Sequence, residues 1–455
     1  MRIADLAGKR VAVWGYGREG SATLAALRRR LPGQRLSLIC SAAEAELARG
    51  LHHDALDYVT VEPYAGLLWG FDVVVKSPGI SRYLPAIVDA LAAGVCFTSA
   101  TALWFGENPL ATTAGVTGTK GKSTVSALIT HLLRSLGQRV ALAGNIGLPL
   151  LELLDTPEPV DCWVVELSSF QTADAERVDV GLVNNIYEEH LDWHGSRERY
   201  VSDKLALVEH STTLVVNGLQ PELVARTATH PHRRVFGDVA GWHLAEGMIM
   251  HGHEHCLDLR QLPLAGEHNA LNLCAALTVV DALGFDAHAA LPAVATFRPL
   301  PHRLQALGEQ GGLTWINDSI STTPQATIEA LRSLEGRAVS VLVGGFDRGL
   351  DWGEFQRYVA SRPPAAVICL GASGARIARQ LGAAAPAYRL GQCVSLAEAV
   401  AHARSWTPGG GVVLLSPGAP SFDQFRDYAD RGRAFTQLAG FDPQSIVAIA
   451  GVGIA

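Results

Sequence analysis

The sequence predicts an α/β protein of three units with largely parallel sheets. Two observations carry this. Short apolar runs alternate with helical stretches along the whole chain. At 455 residues the chain is also too long for a single core. The first unit, 1–108, opens with a strand at 10–14, a glycine turn and a helix at 21–30, followed by strands at 36–40 and 72–76. A Pro/Asn/Thr-containing connection at 107–112 closes it. The second, 109–302, begins with a turn at 115–123 and a helix at 124–136, and carries strands near 162–166 and 180–185. It ends at the segment Phe-Arg-Pro-Leu-Pro-His-Arg (297–303), whose two prolines mark a linker. The third, 303–455, has strands at 314–317, 339–343, 366–370 and 411–415. No internal repeat or low-complexity tract interrupts this pattern.

Composition excludes several classes. The chain is 48% hydrophobic and 18% charged, an ordinary globular balance. A formal net charge of −7 without a long basic run argues against a nucleic-acid partner. The N-terminal residues lack the apolar core of a signal peptide, and no apolar stretch reaches the length of a membrane span. The seven cysteines are scattered and form no CxxC pair, which argues against a disulfide framework and structural zinc and suggests buried thiols in a reducing cytoplasm. Lysine is scarce, with only Lys9, Lys76, Lys120, Lys122 and Lys204. Where arginine does most cationic work, a retained lysine suggests a task that guanidinium performs badly, such as compact phosphate contact or amine chemistry.

The strongest local signal is Gly115-Val-Thr-Gly-Thr-Lys-Gly-Lys-Ser-Thr124. Its Gly-Lys-Ser close, followed by a helix, is that of a phosphate-binding loop: backbone N–H groups and a helix N-terminus face the anion. Lys122 would reach the terminal phosphates and Ser123 would hold Mg²⁺. Val116 stands where the general motif has its first glycine. Glu166, at the end of an apolar strand, offers a hard oxygen ligand to a nucleotide-bound Mg²⁺. His190 lies in the Glu/His-rich stretch 188–194, just beyond the next strand, and joins the candidate metal ligands.

A second glycine turn, Gly15-Tyr-Gly-Arg-Glu-Gly20, follows a strand and precedes a helix. It raises a nicotinamide-dependent oxidoreductase as an alternative. The following strand ends Ile39-Cys40-Ser41, without the acidic residue a NAD ribose needs, and no arginine follows directly for NADP. The turn fits another diphosphate better.

Taken together, these stretches resemble the Mur ligases, which build the peptidoglycan stem peptide. The resemblance runs in order through Thr117–Thr124, Gly144-Asn-Ile-Gly147, Glu166-Leu-Ser-Ser169, Glu189-His190, Gly266-Glu-His-Asn269 with Asn272, Leu300-Pro-His-Arg303, Asn317-Asp-Ser319 and Leu415-Ser-Pro417. It implies an N-terminal Rossmann-like domain that binds a UDP precursor, a central P-loop ATPase α/β domain and a C-terminal Rossmann-like domain that brings the amino acid. The full-length pattern is closest to members adding glutamate to UDP-N-acetylmuramoyl-L-alanine. Among these it resembles the variant using L-glutamate, through 101–105, 190–195, 317–324, 347–352 and 416–422. Ile320 stands where D-glutamate ligases often carry a lysine.

The resemblance further implies roles for individual residues. Gly118, Thr119, Lys120, Gly121, Lys122, Ser123 and Thr124 would hold the ATP phosphates, with Asn272, Arg303 and Asp318 about adenine and ribose. Ser123, Glu166, His190 and Lys204 would ligate Mg²⁺, with Lys204 carried as a carbamate. Lys122, His190 and Lys204 would form the catalytic set. Gly15, Gly17, Arg18 and Ser81 belong to the UDP region, and Asn145 would meet the precursor near its reacting end. Thr322, Arg348, Ser421 and Tyr428 would grip the glutamate carboxylates, with hydroxyls of Ser321 and Thr323 beside them. The expected protein is a cytoplasmic monomer using ATP and Mg²⁺, with no nucleic acid and no membrane span.

Overall fold

Runs of buried apolar residues become the inner strands of parallel sheets, where both faces are covered and hydrophobicity is nearly continuous rather than alternating. The computed structural model describes all residues except 53–55, 147, 157, 188–190, 265, 299, 348, 384, 446–452 and 455. Of the expected site residues, His190 and Arg348 therefore lie outside the described residues, as does Glu189. The chain forms two compact units. One holds Met1–Arg298 with the last residues of the chain, and the other is Pro299–Ala450.

The first unit contains a five-stranded parallel sheet of β1 (Val11–Trp14), β2 (Leu36–Ile39), β3 (Leu56–Val59), β4 (Val73–Lys76) and β5 (Cys96–Thr98), ordered β3-β2-β1-β4-β5. Helix α1 (Arg18–Arg30) follows β1 directly. A second sheet has β6 (Thr113–Thr117), β7 (Val140–Gly144), β8 (Cys162–Glu166), β9 (Val178–Val183), β10 (Ser211–Asn217) and β11 (Arg233–Phe236). Its order is β11-β10-β9-β6-β8-β7, and the chain's last strand, Gly453–Ile454, adds antiparallel to β7. The two sheets share one apolar core in which Trp104 meets Trp163 with ring centroids 4.7 Å apart. That continuity is the physical reason they cluster as one compact unit. Helices α2 (Lys122–Ser135), α3 (Arg197–His210) and α4 (Glu267–Ala282) belong to the same unit. So does an antiparallel three-stranded sheet of β12 (Trp242–Ala245), β13 (Met248–His251) and β14 (Glu254–Asp258), which the sequence reading did not anticipate.

The second unit is one sheet ordered β15-β16-β20-β17-β18-β19. Its strands are β15 (Gln305–Gln310), β16 (Leu313–Asn317), β17 (Val339–Val343), β18 (Ala366–Leu370), β19 (Arg389–Cys393) and β20 (Val412–Leu415), parallel except for the β15–β16 pair. Helix α5 (Tyr428–Ala439) opens on Asp427, whose carboxylate accepts from the Asp430 amide. All four strands expected here, at 314–317, 339–343, 366–370 and 411–415, correspond to β16, β17, β18 and β20.

Two sequence expectations shift. The strand expected at 180–185 ends at Val183, so Asn184 and Asn185 leave the sheet and turn toward the glycine loop. The cysteines are all free, but only Cys40, Cys162, Cys274, Cys369 and Cys393 are buried; Cys96 and Cys256 are half-buried.

Candidate active site

In the second sheet, β6 lies between β8 and β9: the chain runs from β6 to β7 on one side, returns to β8 and then crosses to β9 on the other. Such a point opens a crevice at the carboxyl ends of the strands. The loop after β6 lies there. Gly121 caps α2 with φ +81°, a left-handed conformation. A Cβ on it would stand 2.5 Å from Asn272 Oδ1, so glycine is required on both counts. The loop is held by asparagines. The Thr119 amide donates to Asn185 O at 2.9 Å and the Lys120 amide to Asn185 Oδ1 at 2.7 Å. Asn184 Nδ2 donates to Lys120 O at 3.1 Å and to Asn272 Oδ1 at 3.0 Å. The sequence signal for these residues is an Asn-Asn pair at the end of an apolar run.

Two lysines converge on this loop. Lys122 Nζ donates to the carbonyls of Gly118 (2.9 Å) and Thr119 (3.1 Å). Lys204, 2% exposed on α3, donates from Nζ to Gly118 O at 3.0 Å. Ser123 is buried and Thr124 half-buried in the first turn of α2. At the end of β8, Glu166 is 1% exposed. Its Oε1 accepts from Asn145 Nδ2 at 2.6 Å, while its Oε2 is buried with no hydrogen-bond partner among the described residues. A buried oxygen without a partner is costly unless something meets it. A hard cation satisfies that requirement, so the residues present fit the expected Mg²⁺.

Beneath α3 runs a polar network the sequence reading missed. Asp203 Oδ2 pairs with His194 Nδ1 at 2.6 Å, and His194 Nε2 meets Ser169 Oγ at 3.0 Å. Tyr83, from the first sheet's connections, donates its hydroxyl to Asp203 at 2.8 Å. Asp203 precedes Lys204 in α3, so this network anchors the turn that presents the buried lysine.

At the first glycine turn, a cleft of about 440 Å³ opens beyond β1 and β2, lined by Trp14, Gly15, Ile39, Cys40, Ser41 and Glu44, among others. A Cβ on Gly20 would lie 2.0 Å from Gly15 O, which explains the last glycine of the motif. Gly17 is the N-cap of α1 and Arg18 its first residue. Ser81 does not line the cleft; its hydroxyl donates to Trp193 O at 2.6 Å.

In the second unit, Asp318 follows β16 and is 4% exposed. Its carboxylate accepts from the Ser416 hydroxyl (2.7 Å), the Leu304 amide (3.1 Å) and the Ser321 hydroxyl. Burial raises its pKa against these hydrogen bonds. Arg303 has a buried Nε without a hydrogen-bond partner among the described residues. The expected row of glutamate-facing hydroxyls is shortened. Ser321 is bound to Asp318, and Thr323 caps the next helix by accepting from the Ala326 amide. Of the three, Thr322 alone makes no side-chain hydrogen bond among the described residues. Ser421 is buried at 2% exposure. Tyr428 opens α5, its ring edge-on to His302 at 5.9 Å and its carbonyl accepting from Ser319 Oγ at 2.7 Å. Arg431, 1% exposed, donates to Ser319 O (2.8 Å) and Ala419 O (3.0 Å), joining the two loops; sequence gave no sign of it.

His302 supplies a pH prediction. Burial pushes its pKa down to about 4, and Asn317 Nδ2, a donor 3.1 Å from Nδ1, meets that nitrogen as an acceptor. The unfolded chain, titrating near 6.5, then binds the proton first. Stability is therefore full above that value and is lost as pH falls toward 4. The loss from His302 between pH 7 and 5 should be about 2 kcal/mol. His302→Asn suits the residue's φ of +61° and should remove that component. Denaturant unfolding at both pH values checks this; equal acid sensitivity in parent and variant would refute it.

Comparison with known proteins agrees with these parts. Residues 116–280 match the Mur ligase middle domain and 302–419 the Mur ligase glutamate ligase domain. A protein of Xanthomonas euvesicatoria pv. vesicatoria named UDP-N-acetylmuramoyl-L-alanine–L-glutamate ligase is 48% identical over 100% of both chains. One of the same name from Micromonospora is 40% identical over 96% of this chain and 98% of its own. Among solved structures, the UDP-N-acetylmuramate–alanine ligase of Thermotoga maritima superposes with a TM-score of 0.57 at 20% identity, covering 94% of this chain and 98% of that one. The MurF ligase of the same organism, in complex with ADP, gives 0.56 at 17% over 96% and 95%. With full-length relatives at this identity and both family domains in order, the chain belongs to the Mur ligase family.

Proposed function

We propose that this enzyme joins L-glutamate to UDP-N-acetylmuramoyl-L-alanine in peptidoglycan precursor synthesis, at the expense of ATP. The observation that carries the reading is a glycine loop at the switch point of a parallel sheet, with two lysines on its carbonyls and a buried Glu166 oxygen left open. The named relatives support the substrate pair.

The chemistry follows. The alanyl carboxylate attacks the γ-phosphorus of ATP, the bond to ADP breaks, and an acyl phosphate forms. The glutamate amine then attacks the acyl carbon, and phosphate leaves as the amide forms. Loop amides and Lys122 neutralise charge on the transferring group, and Asn145 orients Glu166. Ser123, Glu166, His190 and Lys204, the last as a carbamate, would hold Mg²⁺, which would supply charge neutralisation at the phosphates. The carbamate converts a cation into an oxygen ligand. Lys204→Ala should accordingly be nearly inactive and partly restored by formate or acetate; undiminished activity without either would count against it. Asn272, Arg303 and Asp318 are assigned to adenine and ribose. Gly15, Gly17, Arg18 and Ser81 are assigned to UDP, and Thr322, Arg348, Ser421 and Tyr428 to glutamate. The domain divisions at 108 and 302, a monomeric state and a cytoplasmic location complete the proposal. Among the described residues no helix is long and apolar enough to cross a membrane.

For the amino acid, the enantiomers share an amine that must face the acyl phosphate, so their side-chain carboxylates point differently. A misdirected carboxylate leaves buried donors unpaired at about 1–3 kcal/mol each. Discrimination between the hands of roughly 10- to 1,000-fold follows, and the stretches that resemble the L-glutamate variant, 317–324 and 347–352 among them, favour L-glutamate. Phosphate release with UDP-N-acetylmuramoyl-L-alanine and each amino acid in turn tests the reaction, and kcat/KM for both glutamate enantiomers tests the hand. A preference for D-glutamate would remove the stereochemical assignment and leave the ligase standing.

A further inference from the structure

Away from the phosphate loop, the antiparallel sheet gathers ligand atoms of three chemical kinds. The Glu254 carboxylate, the Cys256 thiol and an imidazole nitrogen of His288 all lie within 4.8 Å of one another. They come from two elements, since His288 sits in the short helix Ala287–Ala290. Cys256 owes its position to an irregularity: Ile249 pairs with Leu257 and Met250 with His255, so Cys256 is the extra residue of a bulge. Bulges re-aim side chains.

The surroundings fix the imidazole. His288 Nε2 is 2.8 Å from His251 Nδ1, which leaves His288 Nδ1 facing Glu254 Oε1 at 4.0 Å. That gap is too long for a hydrogen bond. Behind His251 the Trp242 ring stacks at 4.5 Å and 4°. Trp242 Nε1 donates to Asp281 Oδ2 at 2.7 Å, and Asp281 Oδ1 accepts from the Ala287 amide at 3.2 Å. The helix that carries His288 is thus tied to the same indole that holds His251. An imidazole oriented through its second nitrogen is the usual support for a metal-bound histidine.

We propose that Glu254, Cys256 and His288 form a binding site for one divalent cation of the Zn²⁺ class. Thiolate, imidazole and carboxylate together suit a borderline-soft ion and not Mg²⁺ or Ca²⁺. With bonds of about 2.0–2.3 Å, tetrahedral neighbours stand about 3.3–3.8 Å apart, so small side-chain rotations close the present spacing. Three protein ligands leave the fourth position to water. The ion clamps the β13–β14 hairpin to the helix behind α4. Neither the lack of a CxxC pair nor the scatter of the cysteines in sequence bears on such a site, because its ligands are assembled by tertiary packing.

The test uses the full-length chain without an affinity tag, in excess Mg²⁺. Co²⁺ should bind one per chain with a thiolate charge-transfer band in the near ultraviolet, and Zn²⁺ should displace it. Cys256→Ser should abolish the band, and His288→Ala should weaken Zn²⁺ at least ~10-fold in competition with a chromophoric chelator. Cys393→Ser, whose thiol lies 3.3 Å from His402 Nδ1, is the control and should change nothing. Zn²⁺ should also raise the melting temperature of the parent but not of the two site variants. Should either site variant fail to fold, Glu254→Gln, at an exposed position, takes its place. A Co²⁺ band that survives Cys256→Ser, equal Zn²⁺ affinity in parent and variants, or no binding in the parent would each overturn the proposal.

Discussion

Lys122→Ala should lower the rate of ATP-dependent phosphate release by about 100- to 1,000-fold or more while leaving the melting temperature near that of the parent. The two halves of this expectation have separate causes. The shape of the loop is set by Gly121 in its left-handed conformation and by hydrogen bonds from Asn184 and to Asn185. The Lys122 ammonium donates to the Gly118 and Thr119 carbonyls, both within its own loop. Removing it deletes a compact charge from the place proposed for the transferring phosphoryl group, and leaves the frame intact. Lys122→Arg should not restore the rate, because a planar fork does not replace a point charge in a loop this tight. Phosphate release with the UDP precursor and L-glutamate, alongside a thermal melt, makes the comparison. A normally folded Lys122→Ala protein with near-parent turnover would dismiss this loop as the ATP site.

Glu166→Gln should move activity and stability in opposite directions. The substitution conserves volume, and an amide oxygen can still accept from Asn145 Nδ2, now 2.6 Å from Oε1. At the Oε2 position, however, an amide places N–H donors where the cation needs a lone pair. Turnover should fall by about 1,000-fold, with the Mg²⁺ requirement displaced to higher concentration. Without nucleotide or metal, the variant should be at least as stable as the parent. A buried carboxylate oxygen with no partner is destabilising, and the amide removes its charge. Kinetics across a Mg²⁺ series and thermal melts in its absence read the two effects independently. Activity within 10-fold of the parent, or a metal-free variant clearly less stable than the parent, would show that Glu166 has another role.

Much of this molecule is legible in its order of residues. The apolar runs that became β1, β8, β17 and β18 are buried along their whole length, and such strands declare themselves without knowledge of their neighbours. The glycines at 15, 20, 118 and 121 likewise state a local need: positive φ or a backbone approach that no Cβ would survive. Motif order carried the family. Local sequence thus determined the parallel α/β architecture and the glycine loop after β6, and singled out Glu166 and Lys204 as residues of interest.

What the sequence could not contain is which distant groups meet. Asn184 and Asn185 read as strand until the sheet ended at Val183 and released them to the loop. Ser321 and Thr323 read as ligand hydroxyls, yet one is bound to Asp318 and the other caps a helix, because a hydroxyl takes whichever partner packing brings nearest. The Ser169–His194–Asp203–Tyr83 network, the buried Arg431 and the Glu254–Cys256–His288 cluster join residues far apart in the chain. Spacing rules detect ligands on one turn or one hairpin; these sets exist only after sheets and helices have packed. Tertiary structure also decided that the first two sheets share a core, through rings such as Trp104 and Trp163 whose burial depends on each other and on nothing either segment shows alone.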